Sequence, residues 1–314
     1  MSARGGSAYR FVMTVAAGPG SYTVEFAEDA SAFLAAAGDH LALDPVLSTV
    51  VSTVAQRTVA AQAASTEPPP HPRWLAVVRD LDGAVAGVAM RTAPFPPHPL
   101  FLLPMPDDAA LALARASHKR GEPVHGANGA LPASRVFADE VARLSGGTSR
   151  IDEHTRLFEL GDLVEPRNPP GHLRVARGVD ADLVLEWFNA FGADAAEQAG
   201  RGGERPAFHT PEDVAERIDS GRVWIWEDED GIPVHLTGHS LPAYGVSRIG
   251  PVYTPREHRG RGYASAAVAQ VSRMLSNQGT RICLFTDQAN PTSNGIYQAL
   301  GYRPVVDMAN LLIS

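Results

Sequence analysis

Apolar and polar positions along the chain fall into two series with the same order. In the first, DASAFLAAAGDHLALDPVLSTVVSTVAQRTVAAQAA (29–64) has a helical composition. WLAVVRDLDGAVAGVAM (74–90) reads as two apolar strands around an Asp-Gly turn. LFLLPM (100–105) is expected to be a buried strand. DDAALALARASHK (107–119) is expected to be a helix with carboxylates in its first turn, where the helix dipole favours them. PVHGANG leads into another helix, PASRVFADEVARL, and a strand follows near RLFEL (156–160). In the second series ADLVLEWFNAF (181–191) and TPEDVAERIDSG (210–221) read as helices. The latter has Thr210 as N-cap, Pro211 in the first helical position and Gly221 as its stop. RVWIWEDEDGIPVHLTGHS (222–240) repeats the hairpin, and YGVSRIGPVYT (244–254) is the next strand. A helix, the strand RICLFT (281–286), the helix NPTSNGIYQALG and a strand pair within YRPVVDMANLLI complete it. The repeated order predicts an α/β chain built from one unit used twice.

Proline sets the predicted boundaries. VEPRNPPGH (164–172) holds three prolines and a glycine, which continue neither a helix nor a central strand. It divides the chain into a first domain, 21–165, a linker, 166–172, and a second domain, 173–314. TEPPPHPR (66–73) and APFPPHP (93–99) read as loops within the first domain. Residues 1–20 read as a flexible tail rather than a cleaved signal, because FVMTVAAG is short and soon meets Gly-Pro-Gly.

Composition narrows the function. A length of 314 residues suits two domains. The balance of 27 basic against 35 acidic residues, net −8, argues against a general nucleic-acid binder. The single cysteine, Cys283, allows no intrachain disulfide and points to a reducing, cytoplasmic setting. It reads as a buried small residue. No apolar run is long enough to span a membrane, and a homo-oligomer is left open.

The chemistry gathers at REHRGRGYASAAVA (256–269). Ala264, Ala267, Val268, Val271, Met274 and Leu275 follow a helical period, and Gly279 stops it. Arg259, Gly260, Arg261, Gly262, Tyr263 and Ala264 therefore form the turn into a helix N-terminus. That end carries unpaired N–H groups and about half a positive charge. Glycine lets a ligand approach the backbone, and two arginines add full charges, so the turn suits a diphosphate. Taken alone, it reads equally as a solvated turn.

Arg259-x-x-Gly262-x-Ala264 resembles the coenzyme A loop of the GCN5-related N-acetyltransferases (GNAT), and LFTDQANPTSNGIYQALGY (284–302) resembles that family's second signature. The likeness runs through residues 172–314. It implies two tandem GNAT-like domains, each a mixed, mostly antiparallel sheet flanked by helices. The first is degenerate and structural, since Pro106-Asp107-Asp108 stands where the phosphate loop should be and two carboxylates repel a diphosphate. Tandem members of the family exist. The implied activity is transfer of an acetyl or other acyl group from coenzyme A to an amine, expected to be a small molecule, with no metal. A non-catalytic acyl-CoA sensor or scaffold is the alternative, and an RNA contact through RGRG is disfavoured by the acidic balance.

The resemblance assigns roles. Gly250-Pro251 inside a strand marks a bulge or a break in pairing. Beyond it Val252, Tyr253 and Thr254 are expected to present backbone to the pantetheine arm, with the Val252 N–H polarising the thioester carbonyl. Asn290 is an N-cap on its own sequence merits and a pantetheine ligand by resemblance. Tyr297, on a helix face with Asn294, is either core packing or the acid that protonates the leaving thiolate. Three candidates stand for the base that deprotonates the amine: His239, His235 and Tyr253. The two histidines lie four apart on one strand face.

Overall fold

In a computed structural model, residues 10–17, 20–64, 71–200 and 209–314 of the chain are described. The chain divides into two compact units, Met1–Thr155 with Val306–Ser314, and Arg156–Val305.

The first unit opens with β1 (Arg10–Ala17) and β2 (Gly20–Ala27), paired antiparallel. Residues 10–17, assigned from sequence to the tail, are thus a strand, and residues 1–9 lie outside those described. Next come α1 (Ala30–Leu43) and α2 (Thr49–Ala63). The Asp29 side chain caps α1 by accepting from the Ser31 and Ala32 N–H groups at 2.8 and 3.4 Å. Of the loop expected at 66–73, residues 66–70 lie outside the described set. The hairpin is β3 (Trp74–Arg79) and β4 (Val85–Arg91), followed by β5 (Leu100–Leu102) and α3 (Asp107–Lys119). Both faces of β3 are covered. Leu75 and Val77 meet Phe33, Ala37 and Leu41 of α1, while Trp74, Ala76 and Val78 share a core with α3. Full burial of each large apolar side chain contributes about 1.5–3 kcal/mol.

The sequence reading passed over β6 (Gly126–Ala130), because GANGA has little strand propensity. Pairing decides it: β6 lies parallel to β5 and antiparallel to the last strand of the chain. The helix α4 (Ala133–Ser145) and β7 (Ser149–Leu160) complete this part.

The second unit contains β8 (His172–Val175), α5 (Ala181–Gln198), α6 (Pro211–Asp219), β9 (Val223–Glu227), β10 (Pro233–His239) and β11 (Val246–Tyr253). It continues with α7 (Tyr263–Asn277), β12 (Arg281–Asp287) and α8 (Pro291–Ala299). Here too the sheet is covered on both faces. Val223 and Ile225 of β9 pack with Val184, Trp187, Phe188, Val214 and Ile218 of α5 and α6, and Trp226 packs with Tyr263, Ala266 and Ala267 of α7. The strand order is β7-β12-β11-β10-β9-β8. Each unit is thus a mixed, mostly antiparallel sheet flanked by helices, and each holds a parallel pair, β5–β6 in the first and β11–β12 in the second.

Two boundaries differ from expectation. The predicted final strand pair is one strand, β13 (Tyr302–Ile313), and the division between units falls inside β7 and β13. The proline segment 164–172 belongs to the second unit. It is tied down there: Trp226 Nε1 donates to the Pro170 carbonyl at 3.0 Å, and Val164 N–H donates to Leu300 at 3.0 Å. Prolines cannot extend a ladder, yet their carbonyls still accept.

Candidate active site

The parallel pair of the second unit comes apart. β11 and β12 pair from Val246↔Arg281 to Ile249↔Leu284, and there the register ends. Both strands run on, to Tyr253 and Asp287. Gly250, at φ +148°, and Pro251, which has no N–H to give, stand where β11 leaves its partner. On the other side, the register of β11 with β10 shifts between Thr237 and His239. Ladder hydrogen bonding between the separated ends is lost, and a cleft of about 330 Å³ opens there.

β11 feeds the glycine-arginine turn at the cleft's rim. Gly260 and Gly262 have φ of +76° and +87°, in the left-handed region, and a Cβ on either would meet open space. Conformation, and not crowding, requires glycine at both. Gly262 is the N-cap of α7, with no side-chain cap bond, and the first intrahelical bond is Ala266 N–H to the Gly262 carbonyl at 3.1 Å. Tyr263, Ala264 and Ser265 all line the cleft, and their N–H groups precede that first bond. The Tyr263 ring is core, 6.1 Å from Trp226, so that residue offers the cleft mainly backbone. Arg261 is committed locally, Nη2 to the Glu257 carbonyl at 3.2 Å. Arg259 Nε donates to the Thr254 carbonyl at 2.9 Å.

Asn290, which follows β12, and α8 form the opposite lip. Asn290 is buried in the cleft wall and caps α8, its Oδ1 accepting from Ser293 N–H at 3.0 Å. Tyr297 lines the same wall, with its ring edge-on to Tyr302 at 5.9 Å. Among the described residues its hydroxyl has no hydrogen-bond partner, and burial pushes its pKa above the usual phenol value.

A family model described as FR47-like protein matches residues 231–309, from the turn of the second hairpin into the last strand. No curated protein matches the sequence. Solved structures do. A tandem GNAT protein from the clavulanic acid biosynthesis pathway superposes with a TM-score of 0.54 at 15% identity, over 97% of this chain and 98% of its own. A GNAT-family acetyltransferase from Colwellia psychrerythraea gives 0.53 at 10% identity, over 97% and 100%. A GCN5-related N-acetyltransferase from Sphaerobacter thermophilus gives 0.53 at 17%, over 82% and 84%. The fold is that of the GCN5-related N-acetyltransferases.

Within this GNAT fold, the histidines proposed from sequence lie behind or outside the cleft lining. His235 is fully buried, its two ring nitrogens 2.7 Å from the Thr254 and Thr237 hydroxyls. Burial lowers its pKa to about 3, so it is neutral. His239 is also lowered by burial, and it lies against the Ser240 and Gly221 backbone and Arg222 and Arg217. Neither histidine lines the cleft. Asn294 does not line it either. Its side chain accepts from Thr286 at 2.6 Å and donates to the Asp287 and Asn290 carbonyls at 2.9 and 2.7 Å, so it braces the turn between β12 and α8. Val252, Tyr253 and Thr254 do line the cleft. Tyr253 donates its hydroxyl to Asp194 Oδ2 at 3.1 Å, and burial together with that carboxylate raises its pKa to about 12. Among the described residues no group of three or more His, Cys, Asp or Glu is placed to hold a metal.

Sequence reasoning missed the third wall. α5 continues to Gln198, and its Phe191, Asp194, Ala195 and Gln198 line the cleft. Their spacing of three, four and seven is one helix face. GADAAEQ opens on Gly192, which reads as a stop after Phe191, but the good helix formers that follow carry α5 on to Gln198.

Among its described residues the first unit lacks this arrangement. All three residues of β5 pair with β6, and a Cβ on Gly129 would lie 2.1 Å from the Leu102 carbonyl oxygen, so the two strands stay close. Pro106, Asp107 and Asp108 open α3.

Proposed function

We propose that the chain is an N-acyltransferase that moves an acetyl or other acyl group from coenzyme A to the amine of a small molecule, with the second unit catalytic and the first structural. One observation carries this reading: β11 and β12 separate toward an uncapped helix N-terminus reached through two left-handed glycines. A diphosphate suits the N–H groups of Tyr263, Ala264 and Ser265 together with the helix dipole. The extended backbone of Val252–Thr254, no longer paired to β12, suits the amides of a pantetheine arm, and Asn290 faces it from the other lip. The thioester supplies the activated acyl group.

The residues divide the remaining work. Tyr297 keeps its proton, because burial raises its pKa above 10, and its unpartnered hydroxyl suits donation to a leaving thiolate. A thiol near pKa 8.5 holds a proton less tightly than such a phenol. Tyr297 therefore stabilises the thiolate by a hydrogen bond rather than by complete transfer. Of the three base candidates named from the sequence, Tyr253 alone lines the cleft, and until the cofactor binds Asp194 holds its hydroxyl. The Tyr253 phenol, kept protonated by its raised pKa, accepts a hydrogen bond from the amine or from a water, and that water carries the amine's proton to solvent.

The absence of both histidines from the cleft wall also favours a second reading, an acyl-CoA sensor without turnover. The deciding experiment incubates the chain with acetyl-CoA and a panel of small amines and follows free-thiol release. Release with at least one amine supports the transferase. Tight binding of acetyl-CoA with no release above background supports the sensor, and no binding at all removes both.

A further inference from the structure

The last turns of α5 grip both lips of the cleft. Asp194, Glu197 and Gln198 lie three and four residues apart, on one helix face. Asp194 forms an ion pair with Arg259, and Glu197 forms one with Arg256. Gln198 Oε1 accepts from Asn290 Nδ2 at 3.4 Å. Arg256 and Arg259 follow β11, and Asn290 follows β12. A short run of helix is thus tied to both of the strand ends between which the cleft opens.

We propose that this run, Asp194–Gln198, is a strap across the cleft that acyl-CoA displaces, with Asp194 and the cofactor's diphosphate competing for the Arg259 guanidinium. The inference rests on the reading that coenzyme A binds in this cleft. The Thr254 carbonyl takes Arg259 Nε and Asp194 takes Nη2, so a diphosphate that grips the guanidinium through both Nη groups must share Nη2 with Asp194. A diphosphate brings more charge than one carboxylate and also meets the α7 N-terminus, which Asp194 does not use. The Arg259–Asp194 pair keeps 28% and 24% of its side-chain surface exposed, and such pairs exchange partners at little cost. Release of Gln198 at the other lip returns the Asn290 amide to the cleft.

The test is calorimetry and stopped-flow binding of coenzyme A to the full chain and to two variants. Asp194→Asn weakens the strap, and Glu257→Gln neutralises a carboxylate of the same turn that ties neither lip. Asp194→Asn is expected to bind about fivefold tighter, mostly through faster association. Glu257→Gln is expected to change affinity by less than about twofold. Equal or weaker binding by Asp194→Asn overturns the strap, and so does an equal gain in Glu257→Gln, which would mean general charge repulsion. If no protein binds coenzyme A, the cofactor reading falls and the strap with it; equal binding by all removes the strap alone. Amide exchange on the unaltered chain gives an independent check. Coenzyme A should speed exchange at 194–198, and unchanged or slower exchange there overturns the proposal.

Discussion

Tyr297 and His235 show how burial sets the chemistry of single residues. Burial raises the Tyr297 pKa, and the ring is held in place by Tyr302 and the surrounding apolar cluster. Tyr297→Phe keeps that packing and removes one hydroxyl. It should lower kcat by about 10²-fold with little change in KM, measured by thiol release. His235 titrates in the opposite sense. Its folded pKa, lowered by burial to about 3, lies below the ordinary value of 6.5. Between those values the unfolded chain takes up a proton that the folded chain refuses. The contribution of His235 is therefore fully present above about pH 6.5 and is lost as pH falls toward 3, at up to about 1.4 kcal/mol per pH unit. His235→Gln should flatten the acid limb of stability. Urea midpoints at pH 7.5 and pH 5 should differ less in the variant than in the parent, and an equal difference in both would contradict the assignment.

At the scale of elements, the turn into α7 is set by conformation. Gly262 at φ +87° has open space around its missing Cβ, so a larger side chain there meets strain and no clash. Gly262→Val should cost about 1–3 kcal/mol if the turn keeps its shape, and relaxation would swing the N–H groups out of line. Affinity for acetyl-CoA should fall by at least about tenfold while far-UV circular dichroism stays that of the parent. This element was legible in the sequence, because Arg259, Gly260, Arg261 and Gly262 are local and the helical period after them is clear. The ends of β11 and β12 were legible in part. Gly250-Pro251 announced a disturbance, but nothing local said which neighbour β11 would leave. His235 and His239 were misleading for the same reason: their alternation fixed a common strand face and said nothing about which face meets the cleft.

For the whole molecule, the chain path makes the two units interdependent. β13 ends in the first unit, where Met308, Ala309, Leu311 and Ile313 are buried and Met308–Leu312 pair with β6. A fragment cut at the predicted linker, residues 1–165, lacks that strand. It should expose the β6 edge and its apolar face, bind hydrophobic dyes and unfold without the cooperativity of the full chain. Calorimetry on the full chain should find one acetyl-CoA per chain, because β5 and β6 stay paired where β11 and β12 separate. Two bound per chain would contradict a structural first unit. No helix among the described residues is long and apolar enough to cross a membrane.

By itself the sequence determined what depends on neighbours along the chain: most helices and hairpins, the repeated order, and the glycine-arginine turn with its helix. Periodicity, caps and turn residues act over a few positions, so they can be read without a partner. Only the tertiary structure decided what depends on distant segments meeting. It made a strand of GANGA by pairing it on both sides, returned the end of the chain to the first unit, and turned two histidines into buried neutral groups. It also brought Asp194, Glu197 and Gln198 onto the cleft rim. Burial and pairing are properties of contacts between remote residues, and a linear pattern carries those contacts only as unspecified apolar surface.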